Sequence, residues 1–147
     1  MSTITTYYRG DMSFEAVMGE HRLLIDAPAT IGGKGRGPSP PDLFVTSLGS
    51  CVAAFVAHYC ETVGLDTTDL TVDVSFGQVE GEPPCPTCLV DIEVVINLPH
   101  AEVGARERAI ERVAEHCPVH ETVEYRLKAI AFEVRDRTKV AAGIGSG

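Results

Sequence analysis

The chain has 147 residues and a mass of 15.7 kDa, which is enough for one domain. Apolar residues make up 44% and charged residues 22% of the sequence, and this balance excludes a collagen-like or largely disordered chain. The net charge of −9 argues against a nucleic-acid partner, because such binding depends on clustered cations. The longest mostly apolar stretch, Cys51 to Tyr59, covers about half of a transmembrane length, so we expect no membrane span. No basic-then-apolar leader is visible in the first residues, so we expect a cytoplasmic protein.

Alternating apolar and polar residues open the chain. They predict three short antiparallel strands, near residues 2–8, 12–18 and 21–26. The alternation stops between Ala27 and Ser39, where glycines and prolines surround Lys34 and Arg36. This composition predicts a mobile loop that is long enough to serve a function.

A long helix follows this loop, and its ends are clearly marked. Ser39 can act as the N-cap, Pro40 as the first helical residue and Asp42 as the acid of a capping box. The helix should run to about Val63 and stop at Gly64. Its apolar residues occupy more than one face, which is typical of a helix buried on most sides. In so short a chain, part of that cover should come from a second subunit.

The second half of the chain mixes strands with a second helix. Periodicity predicts two strands at about 70–76 and 90–98, a helix at about 100–116 that Pro118 interrupts, and a last strand at about 124–135. The element order favours the α+β class, with an antiparallel sheet and two central helices. We expect a single domain over residues 1–140 and a flexible tail over 141–147.

Two of the five cysteines are expected to point into the same core. Cys51 lies among small residues in the middle of the first helix, and Cys117 lies where the second helix breaks. Core packing is one interpretation of both, because free cysteine is often buried. The other is redox chemistry, which needs a thiolate, a cation to hold its charge, an apolar pocket and a second thiol that traps the oxidised sulfur. Cys51, Arg36 or Arg9, the apolar helix face and Cys117 could fill those roles.

Two motifs resemble those of a known family. GPSPPDLFVTSLGSC, which ends at Cys51, and HCPVHET, which contains Cys117, are together similar to the motifs of the OsmC/Ohr superfamily of thiol-dependent peroxidases. The resemblance extends over most of the chain, in element order as well as in motifs. It is closer to the OsmC-like branch than to the best-studied peroxidases.

The resemblance implies an intertwined homodimer with two active sites at the subunit boundary. Cys51 would be the thiolate that attacks an organic hydroperoxide, and Cys117 would resolve the resulting sulfenic acid as a disulfide. A dithiol reductant, for which family members use lipoyl-bearing proteins, would then restore both thiols. The resemblance implies no metal and no bound cofactor.

The sequence departs from the family pattern at two positions. The family's peroxidases have a glutamate directly after the proline at the helix start, where this chain has Pro41. Asp42 is the nearest acid, so it is a candidate catalytic residue as well as a capping residue. The activating arginine is either Arg36, in the loop before the helix, or Arg9, in the first strands.

Three further interpretations concern the remaining cysteines. Cys85 and Cys88 form a CPTC motif, which fits two loop thiols, an adventitious or regulatory disulfide, or half of a zinc site completed by His116 and His120 or by Cys117. The alternative functions are therefore a non-catalytic small-ligand or metal-binding module, and a protein oxidoreductase that works through CPTC. Cys60 is expected to pack in the core.

Overall fold

The chain combines antiparallel strands with a few helices, which confirms the α+β class. The computed structural model describes residues 2–78, 88–126 and 130–135. Their regular elements, in chain order, are β1 (Thr5–Gly10), β2 (Ser13–Met18), β3 (His21–Asp26), α1 (Pro40–Val63), β4 (Thr71–Gln78), β5 (Leu89–Asn97), α2 (Glu107–Glu115) and α3 (Pro118–Glu121). Short 3₁₀ turns lie at Ala29–Ile31 and Gly104–Arg106, and a π-helical turn follows α3 at Thr122–Arg126.

The first three strands form an antiparallel meander in the order β1-β2-β3, as the alternation predicts. The loop after β3 closes back onto it. A Cβ atom on Gly33 would lie 1.5 Å from the carbonyl oxygen of Ala27, and one on Gly37 would lie 2.7 Å from that of Leu24. Glycine is therefore required at both positions, because any side chain there would push the loop away from the strand.

The ends of α1 are those that the sequence predicts. The Ser39 side chain accepts a hydrogen bond from the Asp42 backbone, the Asp42 carboxylate accepts one from the Ser39 backbone, and Pro40 is the first helical residue. Gly64 ends the helix at a φ of 76°, a left-handed conformation that glycine adopts without strain.

Within the single chain, α1 is buried along one side only, and the expected cover by a second subunit stays a prediction. Its buried residues form one stripe: Val45, Gly49, Val52, Val56 and Cys60. Phe44 and Phe55 are each 41% exposed within the single chain. By length and apolar composition, α1 is also long enough to cross a membrane, but the core helix of a folded domain has the same properties, so the expectation of no membrane span stays a prediction.

Strands β4 and β5 form a separate antiparallel pair whose inner face packs on the helices. The predicted apolar faces are only partly correct, because Phe76 and Ile92 are each 38% exposed. The register shifts between Ser75 and Gly77, so that extra residues on β5 oppose a single residue on β4. Such a bulge turns the side chains beside it away from the core.

The region after β5 corrects two predictions. The second helix begins at Glu107 rather than near residue 100, and it ends at Glu115. The strand predicted at about 124–135 is wrong for residues 124–126, which are helical, and residues 130–135 have no regular structure. The interruption at Pro118 is confirmed, and because proline suits the first turn of a helix, Pro118 is also the first residue of α3. The predicted tail, residues 141–147, and Cys85 lie outside the described residues.

The core lies between the helices and the second sheet. Its buried cluster consists of Val52, Val56, Cys60, Ile110 and Cys117. Within the described part of the chain, half-buried apolar residues of α1, β4, β5 and α2 pack around this cluster, and none of them comes from β1–β3. The first sheet is therefore outside the core that contains the two cysteines of interest.

Candidate functional site

The structure brings Cys51 and Cys117 into direct contact. Cys51 lies in the middle of α1 and is half-buried, whereas Cys117 joins α2 to α3 and is 0% exposed. Both are free thiols, and their side chains are hydrogen-bonded to each other. Two adjacent reduced thiols are the arrangement from which a disulfide can form without a large movement of the backbone.

Cys117 is held in place by the helix break itself. Its backbone N–H donates to the Ala114 carbonyl at 3.3 Å, and its own carbonyl accepts from the Glu121 N–H at 3.1 Å. Its Sγ caps α3 by accepting the His120 backbone N–H at 3.4 Å. The local sequence around Pro118 therefore fixes the position of the thiol.

The surroundings of Cys117 raise the pKa of its thiol. Burial raises the pKa of the Cys117 thiol, and the hydrogen bond from the His120 N–H offsets part of that rise. The contact with Cys51 raises the pKa of Cys117 further, because the neighbouring sulfur stabilises the protonated form.

A small apolar pocket lies next to the two thiols. It has a volume of about 220 Å³. Its lining consists of Leu48, Val52, Val94, Ile96, Glu111, Ala114, Glu115 and His120. Neither thiol lines the pocket, but Leu48 lies one helical turn from Cys51 on α1, and the backbone N–H of His120 donates to Sγ of Cys117 at 3.4 Å. The pocket can therefore place a small apolar molecule near the sulfurs.

Arg36 lies in an ion-pair network with the loop that carries it. Its guanidinium donates to the fully buried Asp26 carboxylate, from Nε at 2.8 Å and from the terminal nitrogen at 3.1 Å. The backbone N–H groups of Arg36 and Lys34 donate to the same carboxylate at 2.9 and 3.1 Å. Among the described residues, the Arg36 guanidinium contacts Asp26 and Asp11 and neither thiol.

This network has a strong effect on Asp26. Hydrogen bonds from the Arg36 side chain and backbone hold the pKa of the Asp26 carboxyl far below its ordinary value. Asp26 is not among the residues that the sequence pattern predicts for the site. The available signal was an acid that ends a strand directly before a glycine-rich loop with two cations.

The alternative cation, Arg9, also makes local contacts in the first sheet. It forms an ion pair with Glu15, and its guanidinium lies 5.0 Å from the centre of the Tyr7 ring. Neither contact brings it to the thiols.

Asp42 is placed as a capping residue. Its carboxylate accepts from the Ser39 backbone N–H at 3.0 Å and from the Ser39 hydroxyl at 2.6 Å. These hydrogen bonds lower the pKa of Asp42. The hydrogen bonds with Ser39 therefore account for Asp42 as a capping residue. A catalytic role for Asp42 stays a prediction.

The described residues give little support to a metal site. No group of three or more His, Cys, Asp or Glu residues in this part of the chain could hold a metal ion. Cys88 is disulfide-bonded, so it is not one of two free loop thiols. His116 pairs with Glu121, and His120 pairs with Glu124. Cys60 is 0% exposed in the core, as expected.

Comparison with known proteins agrees with this architecture. A model of a protein family described as OsmC-like protein matches residues 33–130. No relative matches among the functionally curated proteins.

Several solved structures share the fold. One is a Psychrobacter arcticus 273-4 protein, described provisionally as an osmotic stress induced and detoxification response protein, which is 23% identical to this chain. The match covers 86% of this chain and 90% of that one, with a TM-score of 0.73. The organic hydroperoxide resistance protein OsmC of Legionella pneumophila is 17% identical, with coverage of 86% and 90% and a TM-score of 0.61. The organic hydroperoxide resistance protein OhrB of Bacillus subtilis is 16% identical, with coverage of 85% and 91% and a TM-score of 0.59.

The structural likeness establishes the fold, and the family model spans well over half of the sequence, including both motifs that contain Cys51 and Cys117. The chain therefore belongs to the OsmC-like protein family.

Proposed function

We propose that this protein is a thiol-dependent peroxidase that reduces organic hydroperoxides to alcohols. The observation that carries the proposal is the direct contact of two reduced thiols, Cys51 and Cys117, beside an apolar pocket. Family membership supports it, and so do the similar folds of proteins described as organic hydroperoxide resistance proteins.

Cys51 is the residue suited to attack the peroxide, because it is half-buried, whereas Cys117 is fully buried and burial raises the pKa of its thiol. The Cys51 thiolate attacks the terminal oxygen of the hydroperoxide, and the O–O bond breaks. The remaining alkoxide takes up a proton and leaves as the alcohol. The peroxide gains two electrons, and the Cys51 sulfur, now a sulfenic acid, loses two.

Cys117 then resolves the sulfenic acid. Its sulfur attacks the Cys51 sulfur, an S–S bond forms, and the hydroxyl group leaves as water with the proton from Cys117. A dithiol, such as that of a lipoyl protein, reduces this disulfide through two exchange steps and is itself oxidised to a disulfide. The existing contact between the thiols supports the resolving step, because little movement is needed.

Arg36 and Asp42 belong to the proposal as the activating cation and the acid of the site. Within one chain they contact Asp26 and Ser39 instead of the thiols. We propose a cytoplasmic homodimer in which these residues face the thiols of the second copy. The exposed Phe44 and Phe55 on α1 offer an apolar surface for that association.

Two variants test the role of Arg36. If Arg36 activates Cys51, then Arg36→Lys slows the reaction of Cys51 with peroxide while Asp26→Asn, which disturbs the same loop, has a smaller effect. Equal effects of the two variants would assign Arg36 to the loop alone.

A thiol count tests the proposed reaction. Addition of cumene hydroperoxide to the reduced protein should remove both thiols of the pair and release cumyl alcohol. Cys51→Ser should abolish both changes, whereas the matched control Cys60→Ser should keep them. In Cys117→Ser the sulfenic acid should persist and react with dimedone. No loss of thiols in excess peroxide would reject the proposal and favour the non-catalytic small-ligand module.

A further inference from the structure

The pocket near the thiols adjoins a larger hollow along the second sheet. This hollow has a volume of about 540 Å³. The two share Val94, Ile96 and Glu111 in their linings, and we call the adjoining pair, which lies between α2 and β5, the α2–β5 groove. Its outer part is lined by Val94, Val95, Ile96, Leu98, Val103, Glu107, Ile110 and Glu111.

The groove has an apolar floor and an acidic edge. Glu107, Glu111 and Glu115 are four positions apart on α2, so they lie along one side of the helix, and all three line the groove. Within the described residues none of the three carboxylates has an ion-pair partner. Arg108 and Arg112 belong to the same helix but line neither part of the groove.

The one basic side chain in the lining is His120, and acceptors already face both of its ring nitrogens. Nδ1 lies 2.7 Å from the Glu115 carbonyl, and Nε2 lies 3.3 Å from the Glu124 carboxylate. Glu121 adds a further carboxylate beside His116. Whatever the charge on His120, Glu124 offsets it, so the groove keeps a net negative edge.

We propose that the α2–β5 groove selects apolar hydroperoxides that are uncharged or cationic and rejects those that carry a carboxylate. The proposal rests on the proposed peroxidase reaction for the reacting group and on the groove for the selectivity. A substrate carboxylate within about 6 Å of a glutamate would lose about threefold to tenfold in affinity for each such pair at low salt. The apolar tail is accepted because its burial is favourable on the Val and Ile floor.

A matched pair of substrates tests this selectivity. A fatty-acid hydroperoxide and its methyl ester share one tail and differ only in the charge. At an ionic strength of about 0.01 M, kcat/KM for the ester should exceed that for the acid by about tenfold or more, and the ratio should shrink near 1 M, where charges more than about 3 Å apart are screened. Equal rates, or a faster reaction of the free acid, would overturn the proposal.

Substitution of the acidic edge should change the ratio of the two rates. Glu111→Gln together with Glu115→Gln should raise kcat/KM for the free acid relative to that for the ester by about tenfold. Glu20→Gln is the control, because it removes a charge in the turn between β2 and β3, far along the chain from the groove. A gain of equal size in the control would assign the effect to net charge and overturn the role of the groove.

A binding measurement separates this inference from the proposed reaction. In Cys51→Ser, which cannot turn over, octanol and octylamine should bind more tightly than octanoate by calorimetric titration. Equal binding of octanoate, or no binding of any of the three, would overturn the inference and leave the peroxidase reaction standing. Selective binding in a protein that does not reduce cumene hydroperoxide would overturn the proposed function alone.

Discussion

Cys51, Cys60 and Cys117 are all free thiols, yet their surroundings give them different reactivity. Cys60 and Cys117 are each 0% exposed, and burial raises the pKa of both. We therefore expect iodoacetamide to modify Cys51 first in the native reduced protein, as followed by peptide mass spectrometry over time. Modification of Cys60 as fast as that of Cys51 would contradict this order. In denaturant, the three thiols should be modified at equal rates.

Asp26 makes the stability of the first sheet and its loop depend on pH. Its folded-state pKa lies below the ordinary value of 3.8, so its contribution is present above that value and is lost as pH falls below it. Asp26→Asn should therefore destabilise the protein at neutral pH and reduce the loss of stability in acid, as measured by urea unfolding across that range. The exposed Asp91, replaced by Asn, is the control and should leave the acid dependence unchanged. If Asp26→Asn kept the parental pH dependence of stability, the proposed contribution of Asp26 would be contradicted.

For single residues, the sequence predicts contacts between neighbours along the chain. It does not predict contacts that form only when distant segments pack together. The cap of α1 is readable because Ser39, Pro40 and Asp42 are adjacent and act on each other. The meeting of Cys51 and Cys117 could be expected from their inward positions, but the contact itself needs the packing of α1 on α2 and α3. Asp26 was missed because its partner, Arg36, approaches it only when the loop folds back.

Among the elements, α1 and β4 depend on the small size of Gly49. A Cβ atom there would lie 3.0 Å from Cγ2 of Val74. Alanine favours a helix over glycine by about 1 kcal/mol, but Val74 is β-branched and its side chain is stiff. Gly49→Ala should therefore destabilise the protein, and it should stabilise a Val74→Ala background by up to about 1 kcal/mol. Thermal unfolding of the four proteins measures the coupling, and additive effects would contradict the contact.

The errors in element prediction also have physical causes. Pro118 ends the hydrogen bonding of α2 and begins α3, so a residue that interrupts one helix favours the next. Helical structure continues through Thr122–Arg126, where alternation predicted a strand. Thr122 supports this turn by donating from its hydroxyl to the Pro118 carbonyl at 2.6 Å.

For the molecule as a whole, the proposed homodimer would cover the exposed aromatic residues of α1. Phe44 and Phe55 are each 41% exposed in one chain. We expect the protein to sediment as a homodimer, Phe55→Glu to shift it toward the monomer, and Phe55→Leu, which keeps the apolar contact, to remain dimeric. A monomer at micromolar concentration for the parental protein would contradict the proposed assembly.

In the proposed reaction, Cys51 and Cys117 together supply the two electrons that reduce one hydroperoxide. The disulfide map of the protein after one equivalent of cumene hydroperoxide, obtained by peptide mass spectrometry without reduction, tests this reaction. A single new cross-linked peptide should join Cys51 to Cys117, with Cys60 still reduced. A map in which both thiols stay free, or in which Cys51 is joined to another cysteine, would contradict it.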